Sequence, residues 1–263
     1  MNILVFIKQV ADTEARISLK SDKRSLEIEN KYNMNFFDEF AVEEALKVKS
    51  KIKDSQITVC TYGAKKAVEA LRTAIAMGAD KAFLLDNTGL DNDDPLITSK
   101  ILANFTKNGG FDLIFCGRQA IDDENANIGT MVAEFLDIPH VSAILKFDII
   151  DEKKVVVESE IEGGKATLEV ELPALFTTQK GINEPRVPLI TGVMKAMKAS
   201  INVIDPVTLG LSKDIIDTTA SKISVLTYET PAGRPAVKIV DGETTGEKVK
   251  SLINILKEDA KVL

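Results

Sequence analysis

The stretch FDLIFCGRQAIDDENANIGTMVAEFLDIP, residues 111–139, decides the fold class of this chain. An apolar run, Phe111–Cys116, predicts a buried strand that ends at Gly117. A polar loop with three successive acids follows, and a helical pattern of apolar residues begins at Ile128. Strand, glycine, polar loop and helix together are typical of the nucleotide site of an open parallel sheet, where the ligand lies beyond the carboxyl end of the strand. The same pattern also suits an ordinary strand-to-helix connection with a solvated acidic loop.

The loop lacks the usual phosphate-binding motifs, because neither G-x-x-x-x-G-K-[ST] nor G-x-G-x-x-G occurs in the chain. Its acids, Asp122, Asp123 and Glu124, would repel a phosphate group unless they cap the helix or point away from the ligand. Arg118 is the one nearby cation that the sequence offers. We therefore expect main-chain N–H groups to hold a ligand with a single phosphate, or with dispersed charge, rather than Mg-ATP.

The first half of the chain alternates between strand and helix patterns. Apolar runs predict strands at Asn2–Ile7, Gln56–Tyr62, Lys81–Leu85 and Phe111–Cys116. Helical spacing predicts helices over Asp38–Ser50 and Ala64–Met77, with Gly78 as a stop, and a further helix that begins at Asp94 and Pro95. Strands separated by helices of this length pair in parallel through right-handed crossovers. The predicted fold class is therefore α/β, with an open, mostly parallel twisted sheet and helices on both faces.

The pattern changes after residue 150. Alternating residues on both sides of Gly163 and Gly164 predict an antiparallel hairpin at the edge of the sheet, and Ala174–Thr178 reads as a further strand. The run Val187–Ala199 carries an apolar stripe; core packing is its usual role, but two lysines beside it favour a partly exposed, adhesive surface. Residues 201–263 have too few apolar residues for a core of their own. We therefore predict a nucleotide-binding domain over residues 1–200 and an extended C-terminal arm over residues 201–263, which must lie on this domain or on a partner chain.

Composition narrows the functions further. The net charge is −7 with scattered basic residues, which argues against a nucleic-acid partner. Cys60 and Cys116 end apolar runs and are expected to be buried, reduced thiols of a cytoplasmic protein. We expect no signal peptide and no insertion into a membrane, because the apolar start is short and contains Lys8. His140 is the only histidine and suits a capping or surface role, so we expect no catalytic residues. One histidine and two distant cysteines do not make a zinc site, so we also expect no metal site.

Five segments, spread over nearly the whole chain, carry a family resemblance. They are ILVFIKQVADT, NFFDEFAVEEALKVK, ALRTAIAMGADKA, GRQAIDDENANIG and VESEIEGGKATLEVELPALFTTQKGINEPR. Together these specific segments resemble the β subunit of the electron-transfer flavoproteins. Two positions of the last segment depart from the family pattern, since Ser159 stands where Lys or Arg is usual and Ala166 where Glu or Gln is usual.

The resemblance implies a heterodimer in which a larger α subunit holds the redox-active FAD. This chain would bind AMP, contribute contacts to the flavin and lay its arm on the α subunit. Electrons would pass between the flavin and partner proteins, from an acyl-CoA dehydrogenase or a related dehydrogenase to a quinone reductase or another acceptor. The resemblance also places Glu160 near an arginine of the α subunit, although Glu160 equally suits a plain outward position of a strand. Leu189, Ile190 and Met194 would form the dehydrogenase-docking surface, with Ile190 as its anchor.

Carried over residue by residue, the resemblance implies an AMP site at the carboxyl ends of neighbouring strands. Its residues are Phe6, Asn35, Phe36, Phe37, Asp38, Tyr62, Gly117, Arg118, Gln119, Ala120, Ile121, Asp122, Asp123, Glu124, Asn125, Ala126, Asn127 and Ile128. The rings of Phe6 and Tyr62 would border the adenine, although Phe6 alone also suits a core position.

Three alternatives stay open. Some family members bind a second FAD in place of AMP, take electrons from NADH and bifurcate them between two acceptors. Asp123, the EIEGG hairpin and the NEPR loop resemble the AMP-binding type, which we favour, whereas Ala126 and Ile128 resemble the flavin-binding type. An ATP-cleaving enzyme of related architecture would need a glycine-rich loop after the first strand, where this chain reads KQVADTEA. A stand-alone nucleotide-binding module would differ from an electron carrier in being soluble and monomeric without a partner.

Overall fold

The computed structural model of the chain describes residues 1–90, 94–216, 220–234 and 236–263. It divides into two compact units, Met1–Leu226 and Thr227–Leu263. The first unit contains the sheet and the predicted nucleotide site. No helix in the described ranges combines the length and the apolar character needed to span a bilayer.

A sheet of nine strands forms the centre of the first unit. The strands of the chain are β1 (Asn2–Phe6), β2 (Gln9–Ala11), β3 (Ile17–Leu19), β4 (Leu26–Ile28), β5 (Tyr32–Met34), β6 (Gln56–Gly63), β7 (Lys81–Asp86), β8 (Leu113–Gly117), β9 (His140–Ile149), β10 (Lys154–Ile161), β11 (Gly164–Glu171), β12 (Ala174–Thr178) and β13 (Asn202–Ile204). The order across the sheet is β11-β10-β9-β12-β8-β1-β6-β7-β13. All neighbours from β9 to β13 in this order pair in parallel, and only β10 and β11 add antiparallel pairs. The predicted parallel sheet with an edge hairpin is therefore confirmed.

Helices cover both faces of the sheet, as predicted. The helices of the first unit are α1 (Phe36–Lys51), α2 (Val68–Met77), α3 (Pro95–Lys107), α4 (Ile128–Leu136), α5 (Ile190–Lys198) and α6 (Lys213–Ile216). The second unit contains α7 (Thr245–Glu258). Successive residues of β1 point to opposite faces: Ile3 and Val5 join a core cluster with α1 and α2, while Leu4 and Phe6 join a second cluster with α3 and α4. A strand buried on both faces needs a continuous apolar run, which is the pattern from which β1 was predicted.

The sheet has a topological switch point beside β1. The chain runs from β1 to β6 and β7 on one side and then returns through α3 to β8 on the other side. Such a reversal opens a crevice at the carboxyl ends of β1 and β8, which is where open α/β sheets bind ligands. The predicted location of the site therefore coincides with the switch point of the observed topology.

The two cysteines lie on either side of β1. Phe6 is the register partner of both Cys60 and Cys116, so two strand spacings, about 10 Å, separate the thiols. Both are buried and free, as predicted, and burial raises the pKa of each thiol. A disulfide between them is excluded by this separation.

Several elements differ from the sequence predictions. Residues 9–34 contain two small antiparallel pairs, β2 with β5 and β3 with β4, which were not predicted. β9 was also missed, and β12 proves to lie inside the sheet between β8 and β9. The predicted helix over Ala64–Met77 begins with a 3-10 turn, Lys65–Ala67, and becomes α-helical at Val68. Within the predicted arm, β13 adds to the main sheet beside β7.

The second unit is built around α7. Thr244 and Glu247 form a capping box in which the Thr244 hydroxyl accepts from the Glu247 amide and the Glu247 carboxylate accepts from the Thr244 amide. The helix leaves Val249, Leu252 and Ile253 exposed. The function of the arm stays a prediction.

Candidate functional site

The predicted site residues come from four segments that meet at the carboxyl edge of the sheet. Phe6 ends β1, Tyr62 lies near the end of β6 and Gly117 ends β8. Phe6 is buried in the core cluster with α3 and α4, and Tyr62 is half-buried. The core position of Phe6 is thus established, while its contact with an adenine stays a prediction.

The start of α1 binds the loop after β8 through Asn35. Although Asn35 occupies the N-cap position of α1, its side chain is directed to the loop. Its Nδ2 donates to the carbonyl of Gln119 at 2.9 Å, and its Oδ1 accepts from the Ile121 amide at 3.1 Å. Because Asn35 is almost fully buried, these two bonds satisfy a side chain that would otherwise be costly to bury. Asn35 therefore fixes the course of this loop from the start of α1.

Asp38 joins the ends of β1 and β8. Its Oδ2 accepts from the Lys8 amide at 2.7 Å, and its Oδ1 accepts from the Gly117 amide at 2.9 Å. Burial raises the pKa of Asp38 to about 7, against the opposing effect of hydrogen bonds from the Lys8 amide, Asn35 and the Gly117 amide and of the positive charge of Lys8. A carboxyl group with this pKa changes its charge near neutral pH.

Gly117 has no room for a side chain. A Cβ atom there would overlap Asp38 Oδ1 and would lie 2.7 Å from Phe37 Cβ. The hydrogen bond between Gly117 and Asp38 thus requires glycine at this position. Close approach of two backbones is a common reason for glycine at the end of a strand.

Two phenylalanines of the predicted site lie at the surface of the first turn of α1. Phe36 is exposed and packs edge-to-face against Phe37, with ring centroids 5.7 Å apart. The Phe37 ring lies 6.0 Å from the Arg118 guanidinium, and its carbonyl accepts from the Thr178 hydroxyl at 3.1 Å. Thr178 ends β12, so a fourth strand end contributes to the same edge.

The Arg118 side chain is engaged by uncharged partners. Its Nη1 donates to Gln179 Oε1 at 2.7 Å, while Nε and Nη2 donate to Gln119 Oε1 at 3.3 and 3.1 Å. Gln179 in turn donates to the Glu160 carboxylate. This chain of side chains connects the loop to the hairpin of β10 and β11, where Glu160 was predicted to contact a partner. Arg118 is thus oriented toward β12 and β10.

The acidic loop is held by Lys8. Its Nζ lies 2.8 Å from Asp122 Oδ1 and 3.0 Å from Asp123 Oδ2. Burial alone would lower the pKa of Lys8, but hydrogen bonds and charges from both acids give a net increase. The expectation that Arg118 is the one nearby cation was therefore wrong. Asp122 and Asp123 pair with Lys8 instead of capping α4, and their side chains stay 36% and 43% exposed. The alternative that they point away from a ligand stays a prediction.

The rest of the loop makes tight turns before α4. The Glu124 amide donates to the Ala120 carbonyl at 3.0 Å, and the Asn125 amide donates to Asp123 Oδ1 at 3.2 Å. Glu124 and Ala126 have φ angles of 52° and 53°, in the left-handed region that side chains adopt at a cost. Turns of this kind present successive main-chain N–H groups on one side, which is a common way to bind an anion.

The start of α4 lies close to β8 and β12. Gly129 packs so tightly that a Cβ atom would lie 2.7 Å from the Cys116 sulfur and 2.9 Å from Thr177 Cγ2. Asn127 precedes Ile128 at the N-cap position, and its buried Oδ1 has no hydrogen-bond partner among the described residues. An unpaired buried acceptor beside a helix N-terminus suits a ligand that brings both hydrogen-bond donors and negative charge.

The predicted docking residues lie elsewhere, on α5. Leu189, Ile190 and Met194 are 75%, 80% and 55% exposed. The opposite side of α5 contacts α2 through small residues: a Cβ atom on Gly192 would overlap the Ala76 carbonyl, and Arg72 of α2 donates to the Ala196 carbonyl. The apolar stripe is therefore exposed in this chain, as its neighbouring lysines indicated.

Sequence reasoning missed Lys8, Thr178 and Gln179 as members of the site. The signal for Lys8 was available, because Lys8 follows the apolar run of β1 just as Gly117 follows that of β8. His140 is exposed and begins β9. Within the described ranges, no three His, Cys, Asp or Glu side chains converge as metal ligands.

Comparison with known proteins gives a consistent result. A family model described as "Electron transfer flavoprotein domain" matches residues 25–209. The chain is 34% identical to the electron transfer flavoprotein subunit beta of Bacillus subtilis (strain 168), with all of both chains covered. It is 37% identical to the subunit beta of Mus musculus, with 96% of each chain covered. It is 36% identical to that of Homo sapiens, over 97% of this chain and 98% of the relative.

Proposed function

The chain belongs to the electron transfer flavoprotein family, as a subunit beta, and we propose that it binds AMP at the switch point of its sheet. It works in a heterodimer whose α subunit holds most of the FAD. In this role the chain is an electron-carrier subunit and not an enzyme, because electrons pass between the flavin and partner proteins. The single observation that carries the proposal is the loop after β8, which is shaped by Asn35, Asp38 and Lys8.

The loop fits a nucleoside monophosphate better than a triphosphate. Its acids are already paired with one lysine, and Arg118 donates to two glutamine side chains, so little free positive charge is left for a polyphosphate. Main-chain amides of the 117–128 loop and the start of α4 suit a single phosphate group. The Oδ1 of Asn127, which has no hydrogen-bond partner among the described residues, suits a hydroxyl or amino donor of the nucleoside. AMP carries no redox chemistry, so its role in the chain is structural.

The choice of AMP over a second FAD rests on the EIEGG hairpin, on the NEPR loop and, within the predicted site, on Asp123. Its carboxylate is fixed beside Lys8, at a position where a glycine would leave room for a larger ligand. Ala126 and Ile128 remain features of the flavin-binding type. If a second FAD occupied the loop, the chain would belong to a bifurcating carrier that takes electrons from NADH. The number of flavins per heterodimer separates the two functions.

The α5 surface suits the docking of a dehydrogenase, for example an acyl-CoA dehydrogenase. Ile190 and its neighbours form an apolar patch of the kind that marks protein interaction sites. The packing of Gly192 and Ala196 against α2 gives the patch a rigid base. A rigid, exposed aliphatic anchor contributes most when it enters a pocket of the partner. A quinone reductase or another acceptor would then receive the electrons.

Two further regions are proposed to contact the α subunit. Glu160 is exposed on β10, and its carboxylate accepts a hydrogen bond from Gln179. An arginine of the α subunit would replace a neutral donor with a charged one, which strengthens such a bond.

The C-terminal arm is proposed to lie on the α subunit through the apolar side of α7, where Val249, Leu252 and Ile253 are exposed.

Co-expression with an α subunit of the same family tests the assignment as a heterodimeric carrier. We expect the two chains to co-purify at equal stoichiometry with a flavin spectrum, and the flavin to be reduced by a dehydrogenase and reoxidised by an acceptor. A chain that is soluble and monomeric alone, and that forms no complex with the α subunit, would instead be the stand-alone nucleotide-binding module.

A further inference from the structure

Lys8 contacts the site through its main chain and its side chain at once. Its amide donates to Asp38, and its carbonyl accepts from the Asn35 amide at 2.8 Å, so α1 fixes its backbone on both sides. Its ammonium group reaches across to Asp122 and Asp123 in the loop after β8. One residue therefore joins the end of β1, the start of α1 and the acidic loop.

Lys8 offsets two of the negative charges of the loop after β8. Asp122, Asp123 and Glu124 place three acids in succession, and the Arg118 guanidinium donates to glutamine carbonyl oxygens instead. The side chains of Lys8 and the two aspartates are each about two-fifths exposed, so each ion pair is modest in strength. The two ion pairs together have a larger effect on a nearby anion than the strength of either pair suggests. Without Lys8, each carboxylate would repel the anion at every distance within the Debye length.

We propose that Lys8 is a positioning residue of the nucleotide site, which draws Asp122 and Asp123 toward β1 and so makes the loop acceptable to a phosphate group. Lys8 acts by offsetting the two acids, not by contacting the ligand. The inference rests on the proposed function of the loop as a nucleotide site, whereas the ion pairs themselves can be tested separately from nucleotide binding.

Hydrogen exchange of the full chain tests the ion pairs without a nucleotide. In Lys8→Met, amides of residues 118–127 should exchange about fivefold faster than in the wild type, whereas Lys8→Arg should restore the protection. Lys180→Met is the matched control, because Lys180 follows the end of β12 as Lys8 follows the end of β1, and it makes no ion pair in the described part of the chain. Equal protection in Lys8→Met and the wild type would overturn the proposal.

AMP titration by calorimetry tests the consequence for binding. Lys8→Met should weaken AMP binding by about fivefold at low salt, and the loss should shrink in 1 M NaCl. Adding Asp122→Asn and Asp123→Asn to Lys8→Met should restore the affinity, because neither of the two acids that Lys8 offsets is left. Failure of this triple variant to regain affinity would mean that Lys8 contacts the phosphate, and the proposal would be wrong. A wild-type chain that binds no AMP would refute the proposed function, while the exchange data would still decide on the ion pairs.

Discussion

Asp38→Asn should remove a pH-dependent part of the stability of this chain. Asp38 is 5% exposed, and burial raises its pKa from the ordinary 3.8 to about 7. The folded chain therefore keeps a proton on Asp38 that the unfolded chain releases as the pH rises from about 4 to 7. Stability that is fully present below the unfolded pKa is lost as the pH rises through this window.

The magnitude follows from the two pKa values. Between pH 5 and pH 8 the wild type should lose about 2 to 3 kcal/mol of unfolding free energy through this group, because each pKa unit corresponds to roughly 1.4 kcal/mol. Asparagine has the same shape but no titration, so it lacks this loss. Its amide group faces an N–H donor and adds a nearly constant cost of about 1 to 3 kcal/mol. The prediction therefore concerns the change with pH and not the difference at one pH.

Urea unfolding of the full chain at several pH values from 5 to 8 measures the effect. The other titratable groups near Asp38 are Lys8 and Cys116, and both are present in wild type and variant. Asp137→Asn serves as a control for the acid-to-amide change at an exposed position. Parallel stability curves for the wild type and Asp38→Asn would refute the reasoning. A wild type that gains stability toward pH 8 would show that the bonds from the Lys8 and Gly117 amides outweigh burial.

Three further predictions concern the loop and the docking surface. Gly117→Ala should lower the unfolding free energy by about 1 to 3 kcal/mol and reduce AMP retention, because its Cβ would overlap Asp38. Gly164→Ala is the control: no atom of the described residues lies within 4 Å of its new Cβ, so urea unfolding and nucleotide assays should show no change in either quantity. Arg118→Ala should retain AMP after gel filtration, since main-chain amides hold the phosphate; complete loss of AMP would show that side-chain charge dominates. Ile190→Ala should slow electron transfer from the partner dehydrogenase at least about tenfold, or ~1.4 kcal/mol, with unchanged melting temperature and FAD content. A lower melting temperature with normal transfer kinetics would instead assign Ile190 to the core.

Much of the fold could be predicted because the main strands are buried on both faces. The apolar run of β1 and the turn at Gly163 and Gly164 each depend on local sequence alone. Asp94 caps α3, where its Oδ1 accepts from the Leu96 amide at 2.8 Å, and this start was also predicted from neighbouring residues. These elements could be predicted because the residues that determine them are neighbours in the sequence.

The missed elements lack such local signals. β9 changes register against β10 and has Ala143 at a φ of 52°, so its apolar residues do not alternate regularly. The strands β2 to β5 have three residues each, which is too short for a period to appear. In the site, the bonds of Asn35 to the loop after β8 join segments that are far apart in sequence. The local charge pattern also indicated solvated acids at Asp122 and Asp123. It could not show their partner, because Lys8 follows the first strand and is more than 100 residues away in the sequence.

The nucleotide content of the purified heterodimer tests the central proposal most directly. The complex is denatured, and the released flavin and adenine nucleotides are separated by chromatography and counted against protein. We predict one FAD and one AMP for each pair of α subunit and this chain, because the loop after β8 suits a single phosphate group and Asp123 resembles the AMP-binding type. Two FAD and no AMP for each pair would contradict the proposal and assign the chain to a bifurcating carrier.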